Sequence, residues 1–363
     1  LKMFQINRCL MRKILNPGRH SSMKAVLAVI CVVLIMTGCQ KEQVKEGKSL
    51  ISYRLGVLLA YDSPSAREVF QSMSRKLLEY QQGREEIIDI KLKEAHGDVS
   101  LLPDQARKLA PEVDLIVAIS TPALQAAMIE TQNIPIVFSS VANPYIIKAG
   151  RTAVDHDPRI TGVCSTAPIK QVIELIHQVK PEVRKIGTIW TPSEINSEYY
   201  LELMEEAAVQ FGLEVVVQPI SAAQDLVQAV QILVRQQVEV LFPVSDNTIN
   251  ANFDLIGELA QANRIPLFAA FSTGAEFGAC ASMGFDFSDI GTKTAELVIR
   301  IKEGESPARI PFQYIDRVRF FINQEAAQKQ GIKFPEKIIK KADRLVTSQF
   351  RQGIRSNAGI GSE

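Results

Sequence analysis

From residue 53 onward, short apolar runs alternate with stretches whose apolar side chains recur at helical spacing. Residues 54–60 form a largely apolar run, which is typical of a strand buried on both faces. In residues 65–81, Val69, Met73 and Leu77 share one face of a helix. The alternation continues with predicted strands at 87–92, 114–119 and 134–138 and predicted helices at 103–110 and 122–131. Strands that alternate with helices predict a parallel, doubly wound sheet.

A second set of the same elements follows. The predicted helices are 169–179, 198–211, 225–236, 253–262 and 290–302 with short helices in 324–341, and the predicted strands are 185–190, 214–218, 238–242, 265–268, 281–285 and 317–322. We therefore predict an α/β fold of two doubly wound parallel-sheet lobes. The elements after residue 275 follow two lobes that the preceding residues already form, so they must add to those lobes. We assign 53–166 with 276–316 to the first lobe and 167–275 with 317–345 to the second. Residues 346–363 are predicted to be a flexible tail.

Two such lobes predict a ligand cleft. In doubly wound sheets, ligands bind outside the carboxyl ends of the strands, so two lobes with facing strand ends enclose a binding site. Closure of the lobes about a hinge can then trap a small molecule between them. The architecture favours a solute-binding protein.

A basic and apolar segment precedes the lobes. Residues 1–38 contain six basic residues and no acidic ones, and residues 25–36 are an unbroken apolar run too short to span a bilayer. This pattern is typical of a secretory signal peptide, and its end, Met36-Thr-Gly-Cys39, resembles a bacterial lipobox. We predict a lipoprotein signal peptide at 1–38, lipidation of Cys39, a tether at 39–52, and an extracytoplasmic location on a bacterial membrane. An uncleaved N-terminal anchor is the alternative.

Charge and composition exclude several classes of function. The chain of 363 residues has a net charge of +1, and without residues 1–38 it keeps 35 basic residues against 40 acidic ones, which argues against nucleic-acid binding. The sequence has neither a Gly-x-Ser-x-Gly nor a phosphate-binding Gly-x-x-x-x-Gly-Lys motif, so we predict that the protein is not an enzyme. Four histidines and no Cys-x-x-Cys pair predict no metal site and no cofactor. Cys164 and Cys280 are expected to be buried thiols, with a disulfide between them as the alternative.

The loops at the predicted strand ends carry a series of motifs between residues 54 and 343. These are Asp114-Leu-Ile-Val-Ala-Ile-Ser-Thr-Pro-Ala-Leu-Gln-Ala126, Ile134-Pro-Ile-Val-Phe138 with Asn143-Pro144, Ile160-Thr-Gly-Val163, Ser193-Glu-Ile-Asn-Ser197, Pro243-Val-Ser-Asp-Asn-Thr248 and Gly284-Phe-Asp-Phe-Ser-Asp-Ile-Gly291. As a set, they resemble the ABC transporter substrate-binding protein family of the tryptophan and tyrosine type.

This resemblance implies a type I periplasmic-binding-protein fold and a non-enzymatic role. The protein is expected to bind a small zwitterionic solute, an aromatic or apolar amino acid, and to deliver it to the permease and ATPase subunits of an importer. A sugar or another metabolite is the alternative ligand, because loops rich in serine, threonine and asparagine also suit sugars. A sensory role through a membrane signalling partner is the alternative function.

Two strand ends suit the two charged groups of an amino acid. Ser120 and Thr121 follow a strand and open a helix, with Thr121 predicted as the cap and Pro122 as the first helical residue, so free N–H groups can receive a carboxylate. A plain helix cap is the alternative. Asp246 and Asn247 end a buried strand, where a carboxylate needs a partner. That partner is expected to be the ligand's ammonium group, a lysine or backbone donors.

The second lobe offers a matching helix start. Asn196 is predicted to be its cap, with Ser193, Glu194 and Ser197 near the cleft. Glu194 is expected either to receive an ammonium group or to stabilise the helix start through its charge.

Four further residues complete the predicted ligand-binding set. Tyr61 and Trp190 lie at strand ends, where their rings can enclose an aromatic or apolar side chain or can pack in the core. Asn143 and Phe285 also lie at strand ends.

Overall fold

A six-stranded parallel sheet forms the first of two lobes in the computed structural model, which describes residues 51–346. Its strands lie in the order β11-β5-β4-β3-β1-β2. Their bounds are β1 Ile51–Leu59, β2 Glu86–Glu94, β3 Leu115–Ile119, β4 Ile136–Val141, β5 Ile160–Cys164 and β11 Gln313–Tyr314. The predicted signal peptide, Cys39, the tether up to residue 50 and the tail from residue 347 lie outside the described residues.

Helices cover both faces of this sheet, which explains why its central strand β3 is apolar throughout. The helices are α1 Pro64–Gln81, α2 Leu102–Leu109, α3 Thr121–Glu130 and α9 Phe287–Lys302. One core contains Val57 of β1 with Met73 of α1 and Val298 of α9, while the opposite core contains Leu58 of β1 with Leu124 of α3.

The second lobe contains the remaining strands. They are β6 Lys185–Trp190, β7 Glu214–Pro219, β8 Val240–Leu241, β9 Phe268–Ala269, β10 Ala281–Phe285, β12 Val318–Asn323 and β13 Arg344–Val346. They form a three-stranded sheet β7-β6-β8 and a four-stranded sheet β13-β12-β10-β9, and a parallel bridge between Leu241 and Leu267 connects the two. The helices of this lobe are α4 Ile169–Val179, α5 Ile195–Gln210, α6 Leu226–Arg235, α7 Asn247–Ala251, α8 Phe253–Asn263, α10 Gln324–Lys329 and α11 Glu336–Ile339.

The chain passes between the lobes at three places in the described residues: after β5, between β10 and α9, and between β11 and β12. The assignment of residues 276–316 to the first lobe was therefore wrong in its first part. Within that range β10 pairs with β9 and β12 of the second lobe, and only α9 and β11 belong to the first. The sequence shows that Ala281–Phe285 is a strand, but not which sheet it joins.

Two strands of the second lobe, β12 and β13, pair parallel with each other and run opposite to the remaining strands. The strand β12 runs antiparallel to β10. Because the parallel strands end at the cleft, a strand that enters the second lobe from the first begins at the cleft and must run the other way.

The two cysteines of the described region are both free and buried. Cys164 ends β5 in the first lobe, while Cys280 precedes β10 in the second. Burial raises the pKa of each thiol to about 12, so both stay protonated and unreactive. No helix in residues 51–346 is long and apolar enough to cross a bilayer.

Gly291 allows α9 to pack closely against α1. A Cβ atom at this position would collide with Ser72 Oγ and the Val69 carbonyl oxygen. We expect Gly291→Ala to lower the free energy of unfolding by about 1–3 kcal/mol, because separating the helices outweighs the roughly 1 kcal/mol gained in helix propensity. Urea denaturation measures this, with Glu296→Ala on the exposed side of the same helix as the control. Equal stability of both variants would contradict the close packing.

Candidate functional site

A cavity with about 660 Å³ of empty space lies between the lobes. Its wall includes the first turns of five helices, α1, α3, α5, α7 and α9, through Ser65, Thr121, Asn196, Asn247 and Phe287. This follows from the topology, since each of these helices begins where a strand ends at the cleft.

One part of the wall is aromatic and aliphatic. Phe271, Phe285 and Phe287 line the cavity together with Ile119 and Ile290. Phe287 packs against core residues of both lobes, and Phe271 is held edge-on by Phe253 with ring centroids 4.8 Å apart. These rings offer an apolar surface to part of a ligand.

The polar part of the wall has four buried atoms without a hydrogen-bond partner. Ser120 Oγ and Ser140 Oγ belong to the first lobe, and Asn196 Oδ1 and Asn250 Oδ1 belong to the second. Leaving a buried polar atom unpaired costs about 1–3 kcal/mol. All four atoms belong to residues that line the cavity, so hydrogen bonds to its contents would satisfy them.

The two serines have an unusual backbone conformation. Ser120 follows β3 with φ of 96°, and Ser140 lies in the neighbouring strand β4 with φ of 54°. Positive φ is strained for residues other than glycine, and such residues cluster at functional sites. Ser120, not the predicted Thr121, holds the cap position of α3, and no side chain caps this helix. The cap position differs from the prediction because the helix begins at Thr121 and not at Pro122.

Glu194 lies behind this wall, 2% exposed, and accepts hydrogen bonds from several donors. The backbone N–H groups of Asn247 and Thr248 donate to it at 3.0 and 2.9 Å. The Asn247 amide and the Thr248 hydroxyl each donate at 2.6 Å, and the Asn196 amide donates at 3.4 Å. Glu194, not the predicted Asn196, also holds the cap position of α5, because the helix begins at Ile195. The carboxylate thus joins the starts of α5 and α7.

Tyr61 connects this carboxylate to the first lobe. Its hydroxyl donates to Glu194 Oε1 at 3.2 Å, and the tyrosine is 8% exposed. Burial and the neighbouring Glu194 charge raise the pKa of Tyr61, which keeps the hydroxyl protonated as a donor. The bond therefore holds the two lobes together across the cleft.

Asp246 is fully buried beside Glu194 and caps α7. It accepts hydrogen bonds from the N–H groups of Ile249 and Thr191 at 2.7 and 3.1 Å and from the Ser197 hydroxyl at 2.7 Å. Burial, followed by the charge of Glu194, raises the pKa of Asp246 well above its usual range. Backbone donors, one of the predicted alternatives, thus partner this carboxylate.

The twelve predicted ligand-binding residues occupy three environments. Those that line the cavity are Ser120, Thr121, Asn196, Asn247 and Phe285. Those in the hydrogen-bond network behind it are Tyr61, Glu194, Ser197 and Asp246. Three lie elsewhere: Ser193 is exposed, Trp190 packs against the second-lobe core, and Asn143 Oδ1 accepts the Tyr145 N–H at 2.9 Å in a turn. Ligand contact by any of them remains a prediction.

Several cavity residues were not predicted. They include Ser63, Ser140, Tyr200, Ser245, Asn250 and Phe271. Ser140 and Ser245 lie at the carboxyl ends of strands, so the rule that located Ser120 also applied to them. Asn250 lies three residues after Asn247, and this spacing places it on the same side of α7.

The raised pKa of Asp246 gives the protein a pH-dependent stability. Its pKa in the folded chain exceeds the 3.8 of an exposed aspartate, so the folded chain holds this proton more tightly than the unfolded chain. The contribution to stability is full below about pH 3.8 and falls, by up to about 1.4 kcal/mol per pH unit, as pH rises through the raised pKa. We expect Asp246→Asn to remove this decline.

Urea denaturation between about pH 4 and pH 8 measures how the free energy of unfolding changes with pH. Asp89→Asn, an exposed substitution in β2, is the control and should keep the wild-type profile. Parallel profiles for wild type and Asp246→Asn would show that Asp246 is not the group responsible.

Comparison with known proteins identifies relatives along most of the chain. The family model described as ABC transporter substrate binding protein matches residues 54–346. A tyrosine-binding protein of Clostridioides difficile is 29% identical over 312 residues, which cover 83% of this chain and 89% of that protein.

Solved structures agree. The ABC domain from Streptococcus pneumoniae in complex with L-Trp has a TM-score of 0.77 and 25% identity, covering 81% of this chain and all of that one. The ligand-free, open structure of a substrate-binding protein with adhesive properties from Clostridium difficile has a TM-score of 0.62 and 26% identity. This match covers 82% of the present chain and 100% of the other. The predicted family and fold are thus confirmed, and the family is not one of enzymes. The chain belongs to the ABC transporter substrate-binding protein family.

Proposed function

We propose that this protein binds an aromatic amino acid between its lobes and delivers it to the permease of an ABC importer. The observation that carries this proposal is the composition of the cavity wall. Three phenylalanines line this space together with four residues that each carry an unpartnered polar atom, two residues from each lobe. An amino acid with an aromatic side chain matches both parts, since its ring is apolar and its two charged groups need hydrogen bonds.

The relatives support the same class of solute. One is named for tyrosine binding, and the other was solved with L-Trp. The present structure also has a higher TM-score to the L-Trp complex than to the ligand-free, open structure at nearly equal identity. Together with the bond from Tyr61 to Glu194, this supports closure of the lobes around the solute.

Titration tests the choice of solute. We expect the full chain in detergent to bind tyrosine, tryptophan or phenylalanine about ten- to hundredfold more tightly than alanine, because burying an aromatic ring contributes about 1.5–3 kcal/mol. Isothermal titration calorimetry with the twenty amino acids measures this. The cavity is also lined by Asn196, Asn247 and Asn250 together with aromatic rings, an arrangement that suits a sugar as well. Glucose, galactose and ribose therefore form a second series of ligands. Binding of a sugar and of no amino acid would overturn the proposal.

We also propose that a lipid on Cys39 anchors the protein to the outer side of a bacterial membrane. The support is the basic and apolar leader that ends in Met36-Thr-Gly-Cys39. One acyl chain binds a membrane weakly, whereas the two chains of a diacylglycerol are enough for stable attachment.

Labelling tests the anchor. In a bacterial host supplied with radioactive palmitate, the wild type and a Cys31→Ser control should incorporate label, and Cys39→Ser should not. An unlabelled wild type that still sediments with membranes would instead support an uncleaved anchor.

A further inference from the structure

The cavity wall carries no full charge. None of the described residues that line it has a carboxylate, an ammonium or a guanidinium group. The two nearest buried acids, Glu194 and Asp246, are occupied by donors of the chain itself. The ammonium group of an amino acid must therefore be received by neutral acceptors if it enters this cavity.

Glu194 determines which atom Asn196 presents. A carboxylate only accepts hydrogen bonds, so the Asn196 amide has to turn its NH₂ group toward Glu194. The opposite atom, Asn196 Oδ1, is then left as a buried acceptor without a partner. Asn196 is 4% exposed, so the cavity it lines is where this oxygen can find a donor.

Asn250 presents a second acceptor from the same lobe. Its amide NH₂ donates to Ser245 Oγ at 3.1 Å, and its Oδ1 is buried without a partner. Asn250 lies in α7, and Ser245 lies in the loop before it. The buried Asp246 and Glu194 hold this segment in place. The second lobe thus offers two amide oxygens.

The first lobe offers donors. The Ser120 and Ser140 hydroxyls are buried without partners, and Ser120 is 5% exposed. The first turn of α3, which no side chain caps, adds free N–H groups at the same place. Hydroxyl and N–H donors suit a carboxylate.

We infer that the ammonium group of the bound amino acid is received by Asn196 Oδ1 and Asn250 Oδ1, and its carboxylate by Ser120 and Ser140. Glu194 is a positioning residue that orients the Asn196 amide without touching the ligand. This inference rests on the proposed function and differs from the sequence-based expectation that Asp246 or Glu194 itself binds the ammonium group. The ligand then joins acceptors of one lobe to donors of the other, which stabilises the closed form.

Ligands that lack one charged group test the assignment. The probes are L-tryptophan, tryptamine, which has no carboxylate, and indole-3-propionate, which has no ammonium group; the tyrosine series replaces them if tyrosine binds more tightly. We expect Asn196→Ala and Asn250→Ala to weaken binding of L-tryptophan and tryptamine about ten- to hundredfold and to leave indole-3-propionate unchanged. Ser120→Ala and Ser140→Ala should weaken L-tryptophan and indole-3-propionate and leave tryptamine unchanged.

Glu194→Gln tests the positioning role. A glutamine can donate, which releases the Asn196 amide from its fixed orientation, so this variant should follow the pattern of Asn196→Ala across the three probes. A merely structural role would weaken all three equally. Asn252→Ala is the matched control, since its amide donates to the Thr248 carbonyl and does not line the cavity. Circular dichroism confirms that each variant is folded, and the asparagine variants carry the test if Glu194→Gln does not fold.

The results distinguish an error in the assignment of the charged groups from an error in the proposed function. If the asparagine variants weaken indole-3-propionate as much as tryptamine, the assignment of the ammonium group is wrong while the proposed function stands. If the wild type binds no amino acid at all, the proposed function itself is wrong.

Discussion

The buried carboxylate of Glu194 is the interaction on which the geometry of the cavity depends. It holds the first turn of α7 against the start of α5, orients two asparagine amides, and accepts the Tyr61 hydroxyl from the other lobe. Neither Glu194 nor its neighbour Asp246 forms an ion pair with a lysine or arginine among residues 51–346. N–H and hydroxyl donors of the chain contact both side chains instead, so neither is buried without hydrogen-bond partners.

Much of the fold could be predicted from local patterns. The bounds of α4, β6 and β10 agree with the sequence-based prediction, because each has apolar residues at a clear helical or strand spacing. Strands of two or three residues, such as β11 and β13, were missed because they are too short to show a period. The sheet to which β10 belongs depends on partners distant in sequence, which no local pattern encodes.

The sequence predicted the position of several residues that line the cavity, but not the hydrogen bonds of the residues around it. The rule that ligands bind at the carboxyl ends of strands located Ser120, Asn196 and Asn247 at the cavity. The same rule located Asp246 and Glu194, but it could not show that both accept hydrogen bonds from the first turn of α7. The strained backbone of Ser140 was also invisible, since positive φ is expected of glycine and asparagine and not of serine.

The absence of full charges from the described cavity wall has a consequence for the transport step. If the solute is the proposed zwitterion, it adds no net charge to a cavity lined by neutral residues, so its binding would by itself leave the electrostatic potential at the outer surface of the protein nearly unchanged. A membrane partner that approaches this surface would meet the same field whether the protein is loaded or empty. Recognition of the loaded protein would then depend on the relative orientation of the two lobes, and the three chain crossings seen between residues 51 and 346 determine which orientations are available.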